Sequence, residues 1–319
     1  MKRYAIIARA TFGLALAVLA VQGTFAHAAE IRVLSTNGVR SVMVEMAPEF
    51  ERATGHKVSI EYDTANLLLG RIKAGESADL AILTRPTIDD LIKHGKVGTG
   101  GGKDLARSGV GVAVRAGLPK PDIGSADGLK RALLDAKSIA YTRTGASGIH
   151  FAKVVERLGI ADQVNAKAKV PAGGSVGELV ARGEAEMAVQ QIPELLAVPG
   201  IQYVGPLPPE LQNFTVFTAG VLTGARQAEA AKAFVDFLTT PAAARVFKAK
   251  GMEPLYTVAG ARPLWPGHPI WTEPSHEITD LISQKAISSS GHGGLRKLPR
   301  AFTVGHSRNQ KLLTNNLWL

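Results

Sequence analysis

No cysteine occurs anywhere in the 319 residues. That excludes disulfides, thiolate catalysis and Cys-ligated zinc, and it excludes a lipoprotein anchor, which needs a cysteine at its cleavage site. A membrane span is missing too. The longest apolar run, about Phe12 to Val21, is far shorter than the ~20 residues that cross a bilayer. The third shortage is of net charge where it would matter. The formal charge is +10, but residues 29–254 hold 27 basic against 24 acidic side chains. The surplus sits at the two ends, so there is no electrostatic case for a nucleic-acid partner.

What is present at the N-terminus is an export signal. Lys2, Arg3 and Arg9 precede the apolar run, and Ala26-His27-Ala28 supplies the small residues a signal peptidase accepts. Residues 1–28 are therefore expected to be a cleaved signal peptide, with the mature protein in the periplasm. The C-terminal residues 255–319 hold all three tryptophans (Trp265, Trp271, Trp318) and lose apolar periodicity. They are expected to form a poorly ordered extension.

Between these ends, short β-type runs alternate with helical patterns. The stretch 31–34 reads as a strand, and Val39, Val42, Met43, Met46 and Phe50 then paint one helical stripe. Strands at 58–62, 79–83, 138–141, 187–191 and 201–204 alternate with further helical segments, one of them opened by a Ser175–Glu178 capping box. Repeated βα units predict an α/β fold of mainly parallel sheets flanked by helices on both faces. About 226 residues is near the size at which one core divides. Two lobes are expected, 29–112 with 217–254 and 113–216. The long runs near 109–115 and 214–222 are the expected crossing strands.

In open α/β sheets, ligands bind beyond the carboxyl ends of strands, where helix N-termini present free N–H groups and partial positive charge. The turns at those ends are Ser35-Thr36-Asn37-Gly38, Asp63-Thr64-Ala65-Asn66, Arg143 to Gly148, and Gly173-Gly174-Ser175-Val176, with Gln190 and Gln191 ending a further strand. Singly, each is ordinary helix capping. Together they predict a site for a small anionic solute, with Arg40 and Arg143 adding fixed charge. Asp63 is discordant there and is expected to cap its own helix.

Enzymatic motifs are lacking. Gly98–Lys103 (GTGGGK) departs from the phosphate-loop pattern, since Asp104 follows the lysine, and reads as a surface loop. Asp89-Asp90 and Glu184-Glu186 read as solvated charges. His56, His94 and His150 lack metal-ligand spacing, and there is no G-x-S-x-G elbow. No catalytic residue, metal or cofactor is expected.

The segments IRVLSTNGVRSVMVEMAPEFERATGHKV, GESADLAILTRPTIDDLIKHGKV, GELVARGEAEMAVQQIPELLAVPGIQYVGPLP and AKAFVDFLTTPAAARVFKAKGMEP make the chain similar to the periplasmic molybdate-binding proteins of ABC importers. The resemblance covers most of residues 30–254. It implies a two-lobed type II periplasmic binding fold, no enzymatic activity, a monomer, capture of a small oxyanion of the molybdate or tungstate type by hinge closure, and docking on a membrane permease. It also implies the donors. The first family serine falls on Gly38, leaving Asn37 or Ser35 in its place, and the second falls near Thr64. Backbone positions fall near Ser147-Gly148 and Ser175-Val176, and the family tyrosine falls on Gln191. Those departures leave a small carboxylate, or another polar solute, as the alternative ligand, and a secreted enzyme as a third reading.

Overall fold

The structure, a computed structural model, describes residues 28–256. The expected signal peptide and C-terminal extension lie outside the described residues, save for Ala28, Leu255 and Tyr256 at their edges. The chain runs through β1 (Glu30–Thr36), a 3-10 turn (Asn37–Val39), α1 (Arg40–Thr54), β2 (Lys57–Asp63), α2 (Ala65–Lys73), β3 (Leu80–Thr84), α3 (Arg85–Lys93) and β4 (Val97–Ser108). It continues with β5 (Val110–Arg115), α4 (Ala126–Asp135), β6 (Ile139–Ala140), α5 (Ala146–Arg157), α6 (Ala161–Asn165), β7 (Ala168–Lys169), α7 (Val176–Ala181), β8 (Met187–Gln191), α8 (Ile192–Leu196) and β9 (Ile201–Pro206). It returns through β10 (Thr215–Leu222), α9 (Ala228–Phe237), α10 (Pro241–Ala249) and β11 (Glu253–Pro254).

These strands form two sheets, ordered β11-β4-β10-β3-β1-β2 and β7-β6-β8-β5-β9. In each, the βα units pair in parallel, β1 with β2 and β3, and β6 with β7 and β8. The crossing strands add antiparallel pairs, β10 on β3 and β4, and β5 on β8 and β9. The chain changes sheet at Ser108–Val110 on the way out and across residues 207–214 on the way back. Each long run therefore lies within one sheet. The two passages touch at their ends, where Thr215 pairs with Ser108 and the Gln212 amide brackets Val110, accepting from its N–H and donating to its carbonyl.

The alternation of side chains along a strand sets which helix covers which face. In the first sheet Ile31, Val33 and Ile82 face Met43, Met46 and Phe50 of α1 and Phe234 of α9. Their neighbours Leu34, Ala81 and Leu83 face Leu68 of α2 and Ile88 and Leu91 of α3. The second sheet repeats the scheme, Val112, Ile139 and Val189 against Leu129, Leu133 and Phe151, and Ala113, Ala140 and Ala188 against Val176, Val180 and Leu195. Both sheets are thus buried on both faces, which is why their strands read as continuous apolar runs.

Two local readings are corrected. Gly98–Lys103 is not a loop. It belongs to β4, where residues 102, 103 and 104 pair with Gly220, Ala219 and Thr218. Small side chains hid the strand, because its outer residues face solvent and carry no apolar signal. The Ser175–Glu178 capping box does not form either. Ser175 makes no capping hydrogen bond, and its buried hydroxyl has no partner among the described residues. The Gln190 side-chain oxygen takes the Val176 N–H at 3.1 Å instead.

Candidate functional site

The strand ends of the two sheets face one another across a narrow void of about 20 Å³, lined by Thr36, Asn37, Gly38, Thr64, Thr84, Thr142, Ser147, Gln190, Gln191 and Glu194 with Gly145, Gly174 and Phe217. A void of that size holds about one water-sized sphere. The lobes are closed over it. Thr64 Oγ1 lies 2.7 Å from Thr144 Oγ1, and the Asn66 side-chain amide donates to the Thr144 carbonyl at 2.9 Å. Thr144 is held in turn by its hydroxyl donating to Ala172 at 2.6 Å.

Three chain reversals deliver backbone donors to this space. The 3-10 turn leading into α1 starts at Asn37, α2 starts at Ala65, and α5 starts at Ala146, all three on the lining. Helix starts carry unpaired N–H groups and a partial positive charge. The hydroxyls of Thr36, Thr64, Thr84, Thr142 and Ser147 surround them. Among the described residues, no Lys or Arg side chain lines the void. A negatively charged ligand here would be held by dipoles and neutral donors.

Of the residues expected from the sequence, Thr36, Asn37, Gly38, Thr64, Ser147, Gln190 and Gln191 are brought together. Ser35, Gly148, Ser175, Val176 and Arg143 are not on the lining. Ser35 alternates to the opposite side of its strand, is fully buried and donates to the Thr36 carbonyl. Gly148 is packed so tightly on Thr142 that an added Cβ would lie 1.7 Å from its carbonyl oxygen. Val176 is buried in the core of the second lobe. Arg143 is exposed, and its guanidinium donates to the Val170 carbonyl at 3.3 Å. Arg40 stacks over the Tyr62 ring at 4.9 Å instead of entering the cleft. Asp63 accepts from the adjacent Thr64 N–H at 2.7 Å, and the cap expected of it on α2 does not form, since the N-cap position is Thr64 and no side chain makes a capping hydrogen bond there.

Two lining residues have distinctive surroundings. Gly38 lies beneath Phe217, and a Cβ on it would sit 2.6 Å from two ring carbons. A serine there fits only if the Phe217 ring shifts. Gln191 is buried at the hinge. In the amide orientation that satisfies both ends, its nitrogen donates to Ser108 at 3.2 Å and Gly109 at 3.1 Å, and its oxygen accepts from Thr215 at 2.7 Å. It ties together the two passages between the lobes.

Sequence reasoning missed Thr84, Thr142, Glu194 and Phe217. Thr84 ends β3 and Thr142 follows the end of β6 by two residues, so the rule that found Thr36 and Thr64 would have found them. Glu194 had no such signal, since a carboxylate looks wrong beside an anion. It stands in the first turn of α8, half-buried and on the lining of the void. The Gln190 side-chain nitrogen donates to it at 2.8 Å and also to the Gly174 carbonyl at 2.9 Å. Burial pushes its carboxyl up to about 8, against the opposing pull of hydrogen bonds from the Gln191 N–H and Gln190.

Comparison with known proteins places this geometry. A Pseudomonas aconitate isomerase is 35% identical over 231 residues, which is 70% of this chain and 88% of that protein. The molybdate-binding protein ModA of Azotobacter vinelandii is 29% identical over 238 residues, 71% of this chain and 90% of that one. The solved periplasmic molybdate-binding protein of the same organism superposes with a TM-score of 0.61 at 18% identity, covering 70% of this chain and 98% of that one. The fold is therefore the type II periplasmic binding fold. The sequence profile for bacterial extracellular solute-binding proteins matches residues 31–253, and the chain belongs to that family.

Proposed function

We propose that the protein captures a small polycarboxylate of the aconitate type in the interlobe void and presents it, lobes closed, to the permease of an ABC importer. It would do so in the periplasm as a monomer. The observation that carries the ligand class is Phe217 lying 2.6 Å from the Cβ position of Gly38, where the resemblance to molybdate-binding proteins places a serine. With Gln191 committed to the hinge, two donors of a tetrahedral-oxyanion site are gone. What remains is a ring of hydroxyls and helix starts spread over both lobes, suited to separate carboxylates on one small carbon skeleton. The 35% identity to an aconitate isomerase supports the same class.

Neutral donors suffice energetically. A hydrogen bond to a charged group contributes about 1.5–3 kcal/mol, so five supply about 7.5–15 kcal/mol, enough for the ~8 kcal/mol of micromolar binding with a margin for ordering over most of that range. A tricarboxylate is larger than the void, so its bound state requires the lobes to stand further apart and the Thr64–Thr144 contact to lengthen. The narrowness of the void favours a second reading, a five-atom oxyanion of the molybdate or tungstate type. Calorimetric titration of the purified protein separates them. Micromolar binding of cis- or trans-aconitate, with molybdate at least ~100-fold weaker, is the expected result. The reverse order would replace the first reading by the second.

A further inference from the structure

A carboxyl on the wall of an anion site asks for an explanation that capture alone does not supply. Glu194 adds negative charge when ionised, makes no ion pair among the described residues, and is held by a dedicated amide from Gln190. It stands among the same lining residues as Thr36, Thr64 and Ser147, which come from both lobes. A ligand filling the void meets these donors and the Glu194 carboxyl together.

We infer that Glu194 is an acid–base residue, moving a proton along the carbon skeleton of a bound unsaturated polycarboxylate and so shifting its double bond. The inference rests on the polycarboxylate reading of the ligand. The ionised carboxyl takes a proton from the methylene carbon next to the double bond. The C–H electron pair spreads over the three-carbon unit and into the flanking carboxylates. Glu194, now the acid, returns a proton to the far carbon of that unit. One C–H bond breaks, another forms, the double bond moves by one position, and the carboxyl is restored. Nothing is oxidised or reduced, and no co-reactant is consumed.

The surroundings suit each half of that cycle. Hydroxyls and helix starts from both lobes are placed to hold the carboxylates into which charge develops. A carboxyl kept near neutral pH both accepts and donates protons readily, and the burial that raises Glu194 supplies that. The Gln190 amide, fixed by Gly174 and Val176, orients the carboxyl without neutralising it.

The test incubates the purified protein with cis-aconitate in D2O and follows products and methylene deuteration by proton NMR, with binding measured calorimetrically alongside. Wild type should interconvert the cis and trans acids and place deuterium in the methylene group. Glu194→Gln, which mimics the protonated carboxyl in size and polarity, should bind within about threefold of wild type and turn over at least ~100-fold more slowly. Glu194→Asp, one methylene shorter, should keep a measurable fraction of the rate. Wild type that binds aconitate without isomerisation or exchange overturns the inference and leaves the ligand reading standing. So does a Gln variant that retains the wild-type rate. Failure of wild type to bind either acid overturns the ligand reading, and the inference with it.

Discussion

Glu194 gives a prediction that needs no ligand. A carboxyl moved from its usual value of 4.5 to about 8 by burial binds its proton more tightly in the folded chain than in the unfolded one. The stability it supports is complete below about pH 4.5 and is lost as pH rises to about 8, because folding then holds an ionised carboxylate in a poorly solvated place. At 1.36 kcal/mol per pH unit, the full effect is about 5 kcal/mol. Water reaching the carboxyl from the cleft lowers this to about 2–5 kcal/mol. Replacing Glu194 by Gln removes the titration and keeps the Gln190 contact available. Urea denaturation of both proteins at pH 5, 7 and 9 isolates the effect, since every other group cancels in the difference. The variant should gain on wild type by about 2–4 kcal/mol between pH 5 and 9. A difference that stays constant to within about 0.5 kcal/mol would refute burial as the state of this carboxyl.

Three further outcomes are expected. Asp79, almost fully buried, accepts from the N–H groups of Arg32, Arg226 and Gln227 at 2.7–2.9 Å, fastening β1 to the start of α9. Asp79→Ala leaves three donors unpaired and should cost at least about 3 kcal/mol in chemical denaturation. Gly38→Ser must displace the Phe217 ring and should cost about 1–3 kcal/mol, and Phe217→Leu in the same chain should recover part of that loss. Arg143→Met should leave the calorimetric affinity for aconitate within twofold, because its guanidinium serves the Val170 carbonyl; a tenfold loss would bring Arg143 back into the site.

The architecture was legible because it rests on apolar periodicity, which a buried parallel sheet and its covering helices display openly. The stripe from Val39 to Phe50 and the strands at 58–62 and 187–191 fall where the structure has α1, β2 and β8. Parts of β4 escaped because Gly98–Lys103 is solvent-facing and has no period to read. The site was legible as a set of turns, not as a set of side chains. Strand ends pointed to Thr36, Thr64 and Ser147, but one-residue alternation decides whether a side chain enters a cleft or a core, which sent Ser35 inward. Arg143 looked right by charge and lies outside by geometry. Glu194 looked wrong by charge and lies inside.

Gln190 and Gln191 show how one strand end joins ligand to hinge. They are neighbours in β8, so their side chains leave on opposite sides of the strand. Gln190 fixes the cleft wall, holding Gly174, Val176 and Glu194. Gln191 fixes the crossing, holding Ser108, Gly109 and Thr215. A displacement of the strand end by a ligand against Glu194 is therefore felt at the hinge without an intervening element. Domain closure needs such a rigid link, because a packed interface passes between discrete arrangements instead of deforming continuously. Replacing Gln191 by Leu keeps the volume and removes all three hinge hydrogen bonds, leaving the Ser108 and Gly109 carbonyls unpaired by it. Its effect should fall on closure. The ligand-induced change in overall dimensions, measured by small-angle X-ray scattering with and without aconitate, should shrink or vanish while the Glu194 pH dependence of stability persists. Loss of both together would mean that the two glutamines act as one packing unit, and the division of labour along β8 would be wrong.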